Sequence, residues 1–272
     1  SPCGAVDEAL LAEARAQAPA LRAALLSGLC TALGGDALAA EYVLLSVTSR
    51  VISRHAEMPV GKLHLNLSGC PSPSSGAAPS SPVAGALHAA LCELLPLCLH
   101  QPLTIPGLNA GGLLPVKDHE ANCIWPSSLQ VPNGATLIVD EALMAPGQLS
   151  DPGVKGLAAL HKLAEQSKLP YDFTYFQVDF PLDTTLVSVS TSPSVLPLKC
   201  TVPLRVTPMP PPPPPETATP QWKHAARRYL GLVTRLQHSI SGMGEAGLAK
   251  RAQDDFVAAR QADSKVGADD FA

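Results

Sequence analysis

The chain has 272 residues, a mass of 28.2 kDa and a net charge of −4 at pH 7. Hydrophobic residues make up 46% and charged residues 15%, which excludes an intrinsically disordered chain and favours a domain with a sizeable core. The balance is mildly acidic, so we expect no direct nucleic-acid binding. No apolar run reaches the roughly 18 residues of a membrane helix, so we expect a soluble protein with no membrane partner.

In chain order, the pattern begins with helices. It predicts helices over 5–17 and 20–33, broken at Pro19, and a third helix over about 37–53 with Asp36 as its N-cap. Further along, strand and helix patterns alternate, which indicates an α/β sheet with covering helices. We expect strands over 62–67, 97–105, 136–139, 172–180, 185–191 and 201–206, and helices over 83–95 and 154–168. Residues 106–135 are interrupted by Pro and Gly and support no assignment.

Composition also predicts the domain organisation. We expect an N-terminal helix and linker over 1–19 and an α/β domain over 20–207. Six consecutive prolines lie in 208–220, which we interpret as a stiff polyproline II linker. Two further helices, about 221–240 and 245–262, would form a helical tail over 221–272.

The first tract with chemical potential is a strand, a loop rich in Gly, Ser and Pro, and a helix. This is the order of a phosphate-binding loop, and Gly69, Cys70 and Pro71 mark its start. A working loop needs a Lys for the β- and γ-phosphates, yet no Lys or Arg lies between Lys62 and Lys117. Its prolines also remove amide donors. A flexible surface loop is therefore favoured over a nucleotide site.

The second tract is the hydrophobic strand that ends in Asp140 and Glu141. This is the form of a Walker B element, in which the Asp holds magnesium and the Glu orients a water. The later strand ends near Thr191 and Ser192, where an ATPase of this type places a sensor residue. We interpret Asp140 and Glu141 as vestigial nucleotide-site positions.

Other catalytic and metal patterns are weaker. No nucleophile-elbow sequence accompanies the Ser, His and Asp residues, so we assign no catalytic residue. The metal-like cluster is His88, Cys92, Cys98 and His100, in which the first two residues would share a helix face. The step from Cys92 to His100 crosses Pro96 and matches no standard zinc spacing. We therefore expect no metal and no cofactor.

Five tracts resemble the mini-chromosome maintenance (MCM) complex-binding proteins, in the order of that family. They are GDALAAEYVLLSVTSRV, MPVGKLHLNLSGCP, PVKDHEAN, ATLIVDEALMAPGQLSDPGV and KLPYDFTYFQVDFP. The resemblance covers roughly 21–206 and continues more weakly in the tail. Since family members are longer, the chain is similar to their C-terminal part.

The resemblance implies a function. These are nuclear proteins that associate with MCM helicase subunits and promote unloading of the MCM complex from chromatin, in DNA replication and sister-chromatid cohesion. Their C-terminal region resembles a degenerate ATPase domain of the MCM subunits, with an AAA+/P-loop-like core and a lid-like helical appendage. We therefore expect a non-catalytic protein that presents an ATPase-like surface to MCM partners. The alternative is an active ATPase whose site is completed by unrecognised residues or in trans; a plain scaffold is a third reading.

A candidate partner surface is the turn-like segment 146–154. Within it, we select the residues Gly147, Gln148, Leu149, Pro152 and Gly153. The segment equally fits a purely structural role, in which it shapes the turn before the next helix. The basic stretch in the tail, around Arg227 and Arg228, is more typical of a solvated helix face than of a nucleic-acid contact.

Overall fold

The computed structural model describes residues 8–55, 58–73, 79–205, 220–234 and 246–262. Seven helices lie in these ranges: α1 (Glu8–Ala32), α2 (Ala37–Thr48), α3 (Pro82–Cys92), α4 (Ile105–Ala110), α5 (Asp151–Gln166), α6 (Pro220–Val233) and α7 (Ala246–Ala262). The same ranges contain eleven strands: β1 (Ser53–His55), β2 (Met58–Val60), β3 (Leu65–Ser68), β4 (Cys98–Pro102), β5 (Val116–Asp118), β6 (Cys123–Trp125), β7 (Thr136–Asp140), β8 (Lys168–Asp172), β9 (Gln177–Pro181), β10 (Thr185–Val189) and β11 (Cys200–Pro203).

The central sheet has five strands in the order β11-β3-β10-β7-β4, and every neighbouring pair is parallel. Parallel sheets need cover on both faces, and all residues of β7 and β10 are accordingly buried. The predicted α/β class is therefore confirmed.

Two hydrophobic clusters lie on opposite faces of this sheet. Side chains alternate along β7, so Ile138 belongs to one cluster while Leu137 and Val139 belong to the other. The first cluster includes residues of α1, α2, α3 and α6, and the second includes residues of α4 and α5. Because Ala226 and Leu230 are buried in the first cluster, α6 packs with the α/β core.

The predicted break at Pro19 is wrong, because α1 continues through this residue. A proline inside a helix removes one backbone hydrogen bond and costs about 3 kcal/mol. Leu21, Leu25 and Leu29 are buried at successive turns just beyond it. This packing outweighs the local cost, which a propensity argument alone does not include.

A second sheet has the order β6-β5-β8-β9. Two of its strands and all but the first residue of α4 lie within 106–135, where the pattern supported no assignment. The predicted strand over 172–180 is wrong: β8 and β9 pair antiparallel, and residues 173–176 form the turn between them. Every residue of β9 is exposed.

Contacts between Cα atoms divide the chain into two compact units, Ser1–Arg235 and Leu236–Ala272. The second unit contains α7, with Arg260 in its last turn. Most of the predicted linker 208–220 lies outside the described residues. Within the described ranges no single helix has both the length and the hydropathy of a membrane span; α1 and α2 pass such a test only as a pair bent by 116°.

Candidate functional site

The candidate site lies at the carboxyl edge of the central sheet. There β3 ends at Ser68, β7 at Asp140 and β10 at Val189. After β3 the chain crosses to β4 at one edge of the sheet. After the adjacent strand β10 it crosses to β11 at the other edge. In open α/β sheets, ligands bind beyond the carboxyl ends of strands at such a switch point. This position brings together the loop after β3, the end of β7 and the end of β10.

The loop after β3 begins with a sharp turn and a buried thiol. Gly69 has a φ of 71°, a conformation that glycine adopts without strain. The amide of Cys70 donates to the carbonyl of Ser190 over 2.9 Å, and its Sγ donates to the carbonyl of Leu67. Burial raises the pKa of Cys70 to about 11, so the group is a neutral thiol near pH 7. With Pro71 lacking an amide hydrogen, neither residue offers a free N–H to a phosphate.

Asp140 is fully buried at the end of β7. Its Oδ2 accepts a hydrogen bond of 2.6 Å from the backbone N–H of Ser81 and lies 3.2 Å from Nε2 of His100. Burial raises the pKa of Asp140, but the hydrogen bonds from His100 and Ser81 outweigh it, so the pKa is lowered. Oδ1 has no hydrogen-bond partner among the described residues. Asp140 is therefore an ionised carboxylate held by two donors.

Ser81 is the N-cap of α3, and its hydroxyl accepts from the amide of Ala84. The N-terminus of a helix carries a partial positive charge and free amides, which make it a natural anion site. In this protein the anion at that position is the side chain of Asp140 itself. The end of α3 that would face a phosphate therefore already has a negative partner.

The carboxylate of Glu141 accepts hydrogen bonds from a different set of residues. Its Oε1 accepts from the hydroxyls of Ser188 and Ser194, each at 2.6 Å, and its Oε2 accepts from the amide of Val195 at 2.8 Å. Glu141 is also buried. The carboxylate joins β7 to β10 and to the segment after β10, and both of its oxygens are engaged by protein donors.

Lys62 is the lysine nearest in sequence before the loop, but it lies before the start of β3, at the amino edge of the sheet. Its Nζ contacts Oδ1 of Asp183 at 2.7 Å and the hydroxyl of Thr185 at 2.8 Å. The side chain is 1% exposed, and desolvation lowers its pKa to about 8. Lys62 therefore cannot serve the loop at the opposite edge.

The segment 146–154 is held in place by α4. Nδ2 of Asn109 donates to the carbonyl of Gln148 at 2.9 Å, and Oδ1 of the same residue accepts from the amide of Ser150 at 2.8 Å. Gly153 is buried against this side chain, since an added Cβ would lie 2.5 Å from Oδ1. Gly147, Gln148 and Pro152 are exposed, while Leu149 is half-buried. The structure thus leaves three of the five selected residues open to a partner.

Among the residues whose side chains are described, the most exposed aromatic surface is the turn between β8 and β9, which the sequence pattern did not single out. Tyr175 is 86% exposed and Phe176 is 59% exposed. The ring of Phe176 stacks on that of Phe173 with their centroids 5.1 Å apart, and the ring centroids of Tyr175 and His119 lie 5.7 Å apart. The interval 171–180 holds three of the chain's five Phe and two of its four Tyr, which was the available signal. We call residues 173–180 the aromatic hairpin.

These features define an α/β protein whose loop after β3 carries no basic residue and whose two carboxylates after β7 are both engaged by protein donors. A model of the family described as mini-chromosome maintenance replisome factor matches residues 5–272. The chain belongs to this family, which confirms the resemblance seen in its sequence.

Individual relatives agree with this assignment. The chain is 35% identical over 258 residues to the mini-chromosome maintenance complex-binding protein of Homo sapiens, covering 92% of this chain and 38% of the relative. The protein of that name from Arabidopsis thaliana is 34% identical over 252 residues, covering 92% and 41%. The one from Salmo salar is 36% identical over 259 residues, covering 92% and 39%. The chain therefore spans about two fifths of the length of these relatives.

Proposed function

We propose that this chain binds MCM helicase subunits through a degenerate AAA+ core that does not hydrolyse ATP. The names of the relatives support MCM binding, and the parallel sheet with a loop after β3 and a carboxylate pair after β7 supports the ATPase-like core. That the helical tail after the core corresponds to the lid of such an ATPase is part of the same proposal.

The observation that carries the non-catalytic role is the contact of Asp140 with the N-terminus of α3. A phosphate bound at this helix end would meet a buried carboxylate 2.6 Å from the first amide. No lysine or arginine lies in the loop to offset the repulsion. Glu141, the position that would orient an attacking water, has both oxygens bound by Ser188, Ser194 and Val195.

We propose the aromatic hairpin and the exposed part of segment 146–154 as the contact surface. Exposed aromatic residues dominate the binding energy of many protein interfaces, and monomeric proteins seldom leave several of them in one place. Tyr175 and Phe176 meet this description, with Val178 and Phe180 exposed on the adjoining strand. The exposed edge of β9 also offers backbone groups to a partner strand.

The test is size-exclusion chromatography of the chain with each purified MCM subunit in turn, without nucleotide. We expect co-elution with a subset of subunits, and we expect Tyr175→Ser with Phe176→Ser to weaken binding by at least about tenfold. Met58→Ser is the matched control, because Met58 is 62% exposed on a different sheet. Co-elution with no subunit would contradict MCM binding by this chain. Equal loss in the control would contradict the assigned surface.

We further infer that the chain acts in the nucleus and promotes unloading of the MCM complex from chromatin, in DNA replication and sister-chromatid cohesion. The family description as a replisome factor supports the replication part of this proposal, and the other parts extend it. A rescue experiment separates it from a plain scaffold: cells depleted of the protein would receive the full-length form with or without the two hairpin changes. We expect MCM subunits to remain on chromatin late in S phase only with the altered hairpin. Equal MCM release in both cells would refute a role of the hairpin in unloading.

A further inference from the structure

Three soft or borderline metal donors converge on the face of α3 that meets β4. His88 and Cys92 lie four residues apart, and Cys98 is the first residue of β4. Their donor atoms all lie within 4.8 Å of one another, and Nε2 of His88 is 3.2 Å from Sγ of Cys92. We propose that His88, Cys92 and Cys98 bind one zinc ion.

The distances suit this ion. Tetrahedral zinc binds sulfur at about 2.3 Å and nitrogen at about 2.0 Å, which places neighbouring donor atoms roughly 3.4–3.8 Å apart. The three donors need only small side-chain adjustments to reach that spacing. Burial raises the pKa of Cys98 to about 12, so zinc binding must release the thiol protons to solvent. The resulting two thiolates and one imidazole form a donor set that zinc shares with few other available ions, since carboxylates are absent from it.

The three donors are accessible from solvent and are already held close together by the fold. Cys92 is exposed, His88 is half-buried and Cys98 is buried, so an ion can reach the donors from solvent. Both Nε2 of His88 and Sγ of Cys92 lie near the carbonyl oxygen of Cys98, at 3.3 Å and 3.6 Å. The chain already folds so that the end of α3 and the start of β4 face each other. An ion would fix this connection.

The fourth position is left to a water or to His100. Cys98 and His100 lie two residues apart on β4 and therefore share a face of the strand. The ring of His100 lies 5.9 Å from that of His88, and its Nε2 is placed against Asp140. Histidines that bind metals usually hold their second ring nitrogen on a carboxylate in this way. The zinc position would thereby be connected to the carboxylate at the end of β7.

The sequence grouped these residues as a metal-like cluster, but their spacing argued against zinc and led us to expect no metal. Their placement in the fold favours a site instead. Five residues separate Cys92 from Cys98, and standard zinc motifs place paired cysteines closer together. The turn at 93–97 reverses the chain between α3 and β4 and brings the residues together. The proposal is independent of the MCM-binding function, because it rests on these side chains alone.

The test is a cobalt titration of the reduced, metal-free full chain, followed by zinc. We expect one cobalt ion per chain, with the visible ligand-field bands of a tetrahedral site and a near-ultraviolet thiolate charge-transfer band, and we expect zinc to abolish both. His88→Gln and Cys92→Ser should each weaken cobalt binding by at least about tenfold. Cys123→Ser and Cys200→Ser are the controls, since both thiols are half-buried and outside the cluster.

A second readout is thermal unfolding in the presence of zinc. Because an ion that binds only the folded state stabilises it, zinc should raise the Tm of the wild type and of both controls, but not of His88→Gln or Cys92→Ser. Far-ultraviolet circular dichroism confirms that each variant is folded. Cobalt bands that persist in both ligand variants, or their absence from the wild type, would overturn the proposal. So would a Cys92–Cys98 disulfide that forms in mild oxidant in a chain that binds no cobalt when reduced.

Discussion

Asp140 shows how a single buried carboxylate defines the chemistry of the sheet edge. It is ionised because donors from Ser81 and His100 compensate for the loss of solvent. The same donors hold the start of α3 against the end of β7. The side chain of Asp140 therefore has a structural role at this edge of the sheet.

We expect Asp140→Asn to lower the free energy of unfolding by about 1–3 kcal/mol, because the bonds from Ser81 and His100 lose the negative charge that strengthens them. The folded-state pKa of Asp140 is lowered, so its contribution is present above the unfolded pKa of about 3.9 and is lost as the pH falls through the folded value. Urea unfolding near pH 7 measures the difference. The exposed Glu120→Gln is the control and should change stability by less than about 0.5 kcal/mol. Equal effects of the two substitutions would contradict this role of Asp140.

His64 gives the protein a second dependence on pH. Burial, reinforced by the charge of Lys62, lowers the pKa of His64 to about 3, and its Nδ1 accepts from the amide of Leu186. The unfolded state binds a proton near pH 6.5 while the folded state stays neutral, so stability falls as the pH drops below about 6.5. We expect the wild type to lose about 2 kcal/mol between pH 7 and pH 5 from this group alone.

The comparison is with His64→Gln, whose side-chain carbonyl can still accept from Leu186 but does not titrate in this range. Urea midpoints at several pH values should give a shallower decline for the variant. Parallel curves for the two proteins would show that His64 does not control acid stability. Lys62 and Asp183, the charged groups near His64, are unchanged in the variant. The difference between the two pH curves therefore reports the titration of residue 64.

At the scale of single residues, part of the candidate site could be predicted from the sequence and part could not. The sequence shows directly that no basic residue follows β3 in the loop and that an acidic pair occupies 140–141. The partners of these carboxylates could not be predicted, because Ser81, Ser188 and Ser194 carry no pattern of their own. They are brought in by the packing of α3 and by the chain after β10.

At the scale of elements, the packing of α5 against α4 depends on one small residue. Gly153 lies in the first turn of α5, where an added Cβ would meet Oδ1 of Asn109 at 2.5 Å and Leu149 at 3.0 Å. Asn109 in turn fixes Gln148 and Ser150. The shape of segment 146–154 is therefore a property of this helix pair.

We expect Gly153→Ala to destabilise the protein by about 1–3 kcal/mol, because Asn109 must move and lose its bonds to the segment. Gly28→Ala is the matched control: Gly28 is exposed on α1 with open space around its Cα, so alanine should stabilise by about 0.5–1 kcal/mol. Thermal unfolding measures both changes. A neutral Gly153→Ala variant would refute the close fit between the two helices.

Element boundaries were predictable where a local signal exists. Asp36 caps α2 through the amide of Ala39, as its position before an apolar run suggested. The end of α2 was not predictable to the residue, since it ends at Thr48 and the pattern extended to about 53. The hairpin of β8 and β9 was missed because its turn contains Thr174 at a φ of 71°, not glycine.

At the scale of the molecule, the clearest prediction concerns nucleotide. Because a ligand that binds the folded state raises its stability, a functional ATP site would increase the Tm when Mg·ATP exceeds its Kd. We expect no change in Tm with millimolar Mg·ATP. A concentration-dependent increase that Asp140→Ala removes would instead support the active ATPase. Isothermal calorimetry on the same samples measures binding directly.

The central sheet and its covering helices were predictable because strands and helices alternate along the chain, and this alternation admits few topologies. The position of α6 was not. It follows a long proline-rich tract, yet Ala226 and Leu230 are buried against the first hydrophobic cluster. The sequence does not indicate that the chain folds back after this tract and packs α6 on the core.

The exposed edge of β9 has a consequence for how much of this protein a cell can hold. Among the described strands β9 pairs only with β8, and its other edge, beside exposed aromatic side chains, can pair with the edge of another copy. Copies made in excess of their binding partner would associate with each other and be lost to quality control. The abundance of the chain would then follow that of its partner.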